Sequence, residues 1–287
     1  MTEEASWSRA AAQSPDLSRE RYRRLVSLSN AVVGARPKPD YVVFPELAIP
    51  RRWARTMAHH FLKEGISLIT GVEYERAARG PEKAVVNDAR LYLTDNRLGY
   101  ASYCVLTQRK GIPAHHERSE LRAQFGLALA PFDENACRKK VYRHFGFNFG
   151  LLICSELTDL SHRHKMRGRV DNLFVISWNQ DLESFAALVE SSALDVHCFV
   201  TLVNNRQYGD SRVRAPFKHH WQRDIVRIKG GMDDYFVIAE LDIAKLREFQ
   251  SYHEQPTGGP FKLTPEGFEI SADRYRIPRG SRHLHQE

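Results

Sequence analysis

Gly150-Leu151-Leu152-Ile153-Cys154-Ser155-Glu156-Leu157 is a short apolar run that stops abruptly at a cysteine and passes into polar residues and a helical pattern. A strand-to-helix turn of this kind projects one side chain above a sheet edge, accessible yet rigidly held. Backbone N–H groups at the new helix start face the same space and favour negative charge. A thiol placed there is a candidate nucleophile. The same residues also fit a buried core cysteine, because free Cys is among the most buried residue types.

Around this stretch, 287 residues allow one large domain or two small ones, and 42% hydrophobic residues can build a sizeable core. No apolar run approaches the roughly 20 residues needed to span a bilayer. The first residues, Met1-Thr2-Glu3-Glu4-Ala5, are unlike a secretory signal, so a cytoplasmic protein is expected. Cys104, Cys137, Cys154 and Cys198 form no CxxC pair and fit neither a disulfide framework nor a zinc site. The formal charge of +7 is spread over short basic clusters. It fits either a solvated surface or an acidic partner such as nucleic acid.

Residues 1–17 are small and polar and are expected to be loose. A main domain follows over 18–250, and a tail over 251–287, rich in Pro, Gly and basic residues, reads as an extended arm. Ser18 is placed to cap a helix that ends at Gly34. Tyr41-Val42-Val43-Phe44 is continuously apolar, in the manner of a buried parallel strand, and stops at Pro45-Glu46. Glu46 therefore lies just past a strand end, where open α/β sheets carry their functional groups. Ile66 to Val72 is another strand. Val85 to Leu93 and Tyr100 to Leu106 read as a strand pair that delivers Lys110 to a similar position. Later strands are expected at 141–147, 149–153, 170–176, 197–203, 211–215, 224–228 and 235–241. Helices are expected over 50–63, 156–167 and 182–196, and from Asp242 to Phe249. Strand pairs alternating with helices argue for an α/β domain with helices covering the sheets.

Glu46, Lys110 and Cys154 thus share one kind of position. Singly, Glu46 could begin a helix and Lys110 could be solvated beside Arg109. As a set, Val42-Val43-Phe44-Pro45-Glu46-Leu47, Arg109-Lys110-Gly111-Ile112-Pro113 and the Cys154 stretch resemble the Glu–Lys–Cys motifs of the nitrilase superfamily of carbon–nitrogen hydrolases. The resemblance runs from about Asp40 to Leu241. The style after Cys154 looks more like nitrilase-like domains attached to prokaryotic reverse transcriptases of anti-phage systems than like metabolic amidases.

The resemblance implies a four-layer α-β-β-α sandwich, commonly paired as a dimer, without a cofactor. It implies Glu46 as general base, Cys154 as nucleophile, and Lys110 with the Ser155 N–H as oxyanion stabilisers. A second glutamate helps to position lysine and substrate in many members; Glu117 is the candidate here and Glu120 its competitor. Trp178 and Asn179 match the pocket-lining region, although Trp178 could equally fill the core. The implied substrate is a small-molecule amide, less often a nitrile. The alternative is an effector module that works with nucleic acid or a reverse transcriptase. The histidine pairs His59-His60, His115-His116 and His219-His220 lack matching carboxylate or cysteine spacing, so no metal is expected. Nothing before Ser18 resembles the short apolar strand with which the family begins. A chain that starts late, with a sandwich lacking its first strand, is therefore the expectation.

Overall fold

The apolar stretches that end in Glu46 and Cys154 become strands of two different sheets. The computed structural model describes residues 4–77, 83–130, 137–231, 233–252, 256 and 258–275. The chain begins with Glu4–Ala11 (α1), Arg19–Gly34 (α2), Tyr41–Ile49 (β1), Arg51–Leu62 (α3) and Ser67–Val72 (β2). Short strands Glu75–Arg76 (β3) and Ala84–Val86 (β4) precede Asp88–Asp95 (β5) and Ser102–Arg109 (β6). His115–Phe125 (α4) and Ala128–Leu129 (β7) follow, then Val141–His144 (β8) and Phe147–Ile153 (β9). A 3-10 turn, Cys154–Thr158, leads to Leu160–Met166 (α5), Asn172–Ile176 (β10) and Leu182–Ser192 (α6). Phe199–Val203 (β11), Gly209–Arg214 (β12), Asp224–Lys229 (β13) and Ile243–Gln250 (α7) complete the set.

One sheet has the order β1-β2-β5-β6 and the other β13-β12-β11-β10-β9-β8, with a small sheet β3-β4-β7 apart from both. β1 runs parallel to β2, and β9, β10 and β11 run parallel to one another. The two large sheets face each other through one cluster, in which Ile69, Ala89 and Leu91 meet Phe149, Leu151 and Phe174. Helices α2 and α3 bury Leu25, Val32, Met57 and Phe61 against β1 and β2. On the other side Met166 of α5 and Val189 of α6 join the cluster of the second sheet. The result is the α-β-β-α layering implied by the resemblance. Each fully buried Leu, Ile or Phe in these layers contributes about 1.5–3 kcal/mol.

Three expectations are corrected. Residues 1–17 are not uniformly loose: α1 forms, and Trp7, Ala10 and Ala11 are buried with Leu47, Tyr74 and Leu121. Long-range packing of one tryptophan holds a helix that the local pattern does not announce. Tyr235–Leu241 is no strand, because no described strand pairs with it. The helix from Leu182 ends as an α-helix at Ser192 and continues as one π-turn, Ala193–His197. The described part of the arm, 258–275, carries no helix, yet Phe261 and Arg274 within it are buried. Arg274 and Arg247 of α7 both donate to the buried carboxylate of Asp171, Arg274 Nε at 3.0 Å and Arg247 Nε at 2.7 Å. A buried carboxylate without such partners would be strongly disfavoured.

His197 closes the π-turn at φ 55° and is buried. Its Nε2 lies 2.7 Å from the Lys262 carbonyl, which calls for a proton there, while Nδ1 accepts from Gln250 Nε2 at 3.0 Å. The neutral ring satisfies both contacts, and a second proton would confront the amide N–H. Burial accordingly lowers the His197 pKa to about 4. A folded-state pKa below the unfolded value of roughly 6.5 means that the unfolded chain binds the extra proton first. Stability from this group is full above pH ~6.5 and is lost as pH falls from there toward 4. Denaturant titrations across that range should show the decline. His197→Asn, which tolerates the left-handed backbone, should flatten it.

Candidate active site

Glu46 is set by backbone geometry. The β1–β2 register breaks between Phe44 and Ile49, and Leu47 has φ 54°. Opposite, a Cβ on Gly71 would lie 2.6 Å from Glu46 Cα and Leu47 N, so only glycine lets β2 approach this bulge. Lys110 follows directly after β6, its N–H donating to the Asn87 carbonyl at 2.9 Å. Cys154 is the first residue past β9, at φ 50°. Left-handed conformations at non-glycine residues cost on the order of 1–3 kcal/mol each and concentrate at functional sites. Two of the six among the described residues are Cys154 and Leu47, the residue after Glu46.

The three side chains converge in the interior: Glu46 is 2% exposed, Lys110 6% and Cys154 6%. Lys110 Nζ donates to Glu46 Oε1 at 2.8 Å and to Glu117 Oε2 at 2.6 Å. Asn87 Nδ2 reaches both carboxylates as well, at 2.8 Å and 3.0 Å. The Tyr74 hydroxyl donates to Glu117 Oε1 at 2.7 Å. The Trp178 N–H holds Glu46 Oε2 at 3.0 Å, and the Trp178 carbonyl receives the Cys154 thiol at 3.9 Å. An ammonium has three donors; two of those on Lys110 are engaged by carboxylates.

Electrostatics divides the carboxylates. Burial pushes Glu46 above its ordinary value, with the Glu117 charge adding and Lys110 opposing. Burial also works against the Glu117 charge, but Lys110 and the Tyr74 and Asn87 donors outweigh it and hold Glu117 low. Lys110 loses from burial and gains more from Glu117 and Glu46, so it stays protonated far above neutrality. Burial, reinforced by Glu46, drives the Cys154 thiol up. The resting site is therefore a neutral thiol beside a Lys110–Glu117 ion pair, with Glu46 the more basic carboxylate.

Among the sequence candidates, Glu46, Lys110, Cys154 and Glu117 come together. Glu120 does not; it pairs with exposed His116 at 3.0 Å. Ser155 sits in the first turn after β9, its hydroxyl donating to the Ile112 carbonyl at 2.7 Å. Trp178 lies against the triad through its backbone, while its ring packs on Trp7 at 5.5 Å between centroids. The Asn179 side chain is spent on the Asp181 carbonyl at 2.7 Å. Among the described residues no group of His, Cys, Asp or Glu is arranged to hold a metal ion.

Sequence reasoning passed over four residues. Tyr74 and Asn87 each follow a strand end, β2 and β4, which was the available signal. Glu156 and Lys139 have the look of surface charges, yet both are buried. Glu156 accepts from Gly111 N at 2.6 Å and Ile153 N at 3.0 Å, joining the lysine loop to the cysteine strand. Lys139 Nζ neutralises it at 2.5 Å and donates to the Arg109 carbonyl at 3.0 Å. Removing one partner of such a pair leaves a bare buried charge, at about 3–5 kcal/mol. Lys139→Met should therefore lower stability in denaturant titrations by that order, far more than Arg97→Met at an exposed pair.

No protein-family model and no curated protein sequence matches the chain. Solved structures do. A CN-hydrolase superfamily protein from Xanthomonas campestris with an arsenic adduct in its active site is 15% identical. The match has a TM-score of 0.58 and covers 80% of this chain and 87% of that one. An amidase of the nitrilase superfamily from Nesterenkonia is 14% identical at TM-score 0.52, over 73% and 82%. A mutant of the same amidase carries the acetamide moiety of fluoroacetamide covalently on its active-site cysteine; it is 13% identical at TM-score 0.52, over 73% and 81%. The chain has the nitrilase-superfamily fold.

Proposed function

We propose that this protein is a carbon–nitrogen hydrolase that cleaves small, non-peptide amides through a thioester on Cys154. The observation that carries the reading is the convergence of Glu46, Lys110, Glu117 and Cys154, from four separate elements, on one buried point. An ordinary thiol is a few per cent thiolate at neutral pH, and this one is less so. It needs a base at the moment of attack, and Glu46 is the carboxylate whose environment makes it basic.

Glu46 takes the Cys154 proton as sulfur attacks the amide carbon. The tetrahedral oxyanion is received by the remaining Lys110 donor and the Ser155 N–H, each such donor worth roughly 3–4 kcal/mol. The C–N bond breaks, Glu46 passes its proton to the leaving nitrogen, and ammonia or an amine departs. Glu46 then deprotonates a water that attacks the thioester carbon; the C–S bond breaks, Glu46 returns the proton to the Cys154 sulfur, and a carboxylic acid leaves. Glu117 remains charged throughout and keeps Lys110 protonated. Nitriles are the secondary substrate class, and a dimer is the assembly carried with this proposal. Among the described residues no helix is long and apolar enough to cross a membrane.

Fluoroacetamide should add to Cys154, read as a mass increment on its peptide, and a panel of short aliphatic amides should contain one that releases ammonia. Cys154→Ala should abolish both. Glu46→Gln should lower amide turnover by about 10²–10⁴-fold, the usual contribution of a general base. The rate should rise through an acid limb lying above 4.5, the ordinary Glu value, because burial raises Glu46. Turnover undiminished in Cys154→Ala, or a limb unchanged in Glu46→Gln, would overturn the assignment.

A further inference from the structure

Glu156 follows Cys154 by two residues, and its carboxylate is buried. One oxygen, Oε2, accepts from the Ile153 N–H at 3.0 Å, across the 3-10 turn that begins at Cys154. A glutamate that reaches back in this way from the first turn is an ordinary cap, and one oxygen suffices for it. The other oxygen, Oε1, makes contacts that a cap does not need. It accepts from the Gly111 N–H at 2.6 Å and pairs with Lys139 Nζ at 2.5 Å. Gly111 follows Lys110, and Ile153 precedes Cys154. One carboxylate therefore grips the backbone beside the lysine and beside the cysteine.

The surrounding contacts converge on the same loop. Lys139 Nζ donates to the Arg109 carbonyl at 3.0 Å, and the Cys137 thiol lies 4.0 Å from the Lys110 carbonyl. The Ser155 hydroxyl donates to the Ile112 carbonyl at 2.7 Å, a second tie between the cysteine turn and the lysine loop. A Cβ at Gly111 would press on Cys137 Cβ at 3.0 Å, so glycine lets the loop seat closely. Stability alone does not account for the arrangement. A buried ion pair gives little or no net gain over well-packed apolar residues of similar volume. Glu46 and the Cys154 thiol are held separately, by the Trp178 N–H at 3.0 Å and the Trp178 carbonyl at 3.9 Å.

We propose that Glu156, with its counter-ion Lys139, is a positioning residue for the oxyanion site. It fixes the Lys110 loop against the turn that carries the Ser155 N–H, so that the two oxyanion donors meet at one point. The inference rests on the amide hydrolysis proposed above. Misplacing a reacting group by about 1 Å can lower a rate on the order of 10²-fold. Proton removal from the thiol depends on Glu46 and is left in place. Glu156 therefore separates two reactions of one cysteine. Attack on an amide carbonyl builds an oxyanion. Alkylation by 2-iodoethanol builds none: sulfur bonds to the saturated carbon, the C–I bond breaks, iodide leaves, and the thiol proton passes to Glu46.

The test compares wild type with the double variant Glu156→Gln/Lys139→Met, in which neither charge is left alone. Glutamine has one acceptor oxygen, so either Gly111 N or Ile153 N loses its partner. With an amide that the wild type hydrolyses, kcat should fall at least about tenfold, toward the roughly 10²–10³-fold typical of one lost oxyanion donor. KM should stay within about threefold, because the lost interaction is made only in the transition state. The rate of Cys154 labelling by 2-iodoethanol, read by mass spectrometry of its peptide, should also stay within about threefold, since no oxyanion forms. Ser155→Ala cuts the second tie without touching a buried charge. It should show the same selectivity with a smaller loss of kcat, about three- to tenfold. Equal loss of both rates, as general loosening would give, would overturn the inference and leave the proposed function standing. So would an undiminished kcat, as a purely structural pair would give. Where the double variant does not fold, Ser155→Ala decides by the same two readings. A wild type that is labelled at Cys154 but hydrolyses no amide would overturn both the inference and the proposed function.

Discussion

One buried ammonium organises the centre of this fold. Lys110 is held between the carboxylates of Glu46 and Glu117. Taking three charges out of water costs several kcal/mol per ion unless geometry and further hydrogen bonds compensate. The compensation is visible: Asn87 bridges the two carboxylates, Tyr74 and the Trp178 N–H complete them, and no acidic oxygen of the pair is left to face apolar atoms alone. Those partners come from β1, β4, the end of β2, the start of α4 and the end of β10. The site thus links both sheets, and its geometry requires the sandwich to be assembled.

Much of this was legible in local sequence because apolar runs stop abruptly, although β1 does not end before Glu46 as expected and continues past it to Ile49 through a break in register. Val42 to Phe44 and Gly150 to Ile153 are continuous apolar runs, and the residue where each stops is placed by the pleat. Glu46, Lys110 and Cys154 could be named from that alone, and Glu117 from resemblance. Asn87 and Tyr74 could not be named with equal force, since an amide and a phenol at a strand end are common and only the tertiary arrangement gives them carboxylates to bind. Glu156 and Lys139 were hidden for a different reason. A charge near a helix start reads as solvated, and its burial depends on two loops meeting that lie 45 residues apart.

The misread segments follow the same division. A nearly continuous apolar run such as Tyr235–Leu241 implies an extended chain, but a strand is a pairing and needs an edge to join. Here the segment and the outer edge of β1 line one cavity, and no ladder joins them among the described residues. α1 is the converse case. Its sequence is short and weakly patterned, and helices of eight residues are marginal by themselves. Trp7 holds it by inserting among Tyr74, Phe125 and Trp178.

The two glutamates show how one ion pair can yield two chemical roles. Both are buried and both touch the same ammonium, so proximity to Lys110 does not distinguish them. The difference lies in the remaining partners. Glu117 collects Tyr74, Asn87 and the Ala114 N–H besides Lys110, and its charge is well solvated by fixed donors. Glu46 faces Cys154 across the Trp178 backbone, and the neighbouring Glu117 charge raises its proton affinity. In the proposed reaction the carboxylate with more donors is the permanent counter-ion, and the one beside the thiol is the base. Exchanging the two environments would exchange the roles, and it is the arrangement of Asn87, Tyr74 and Trp178 that prevents the exchange.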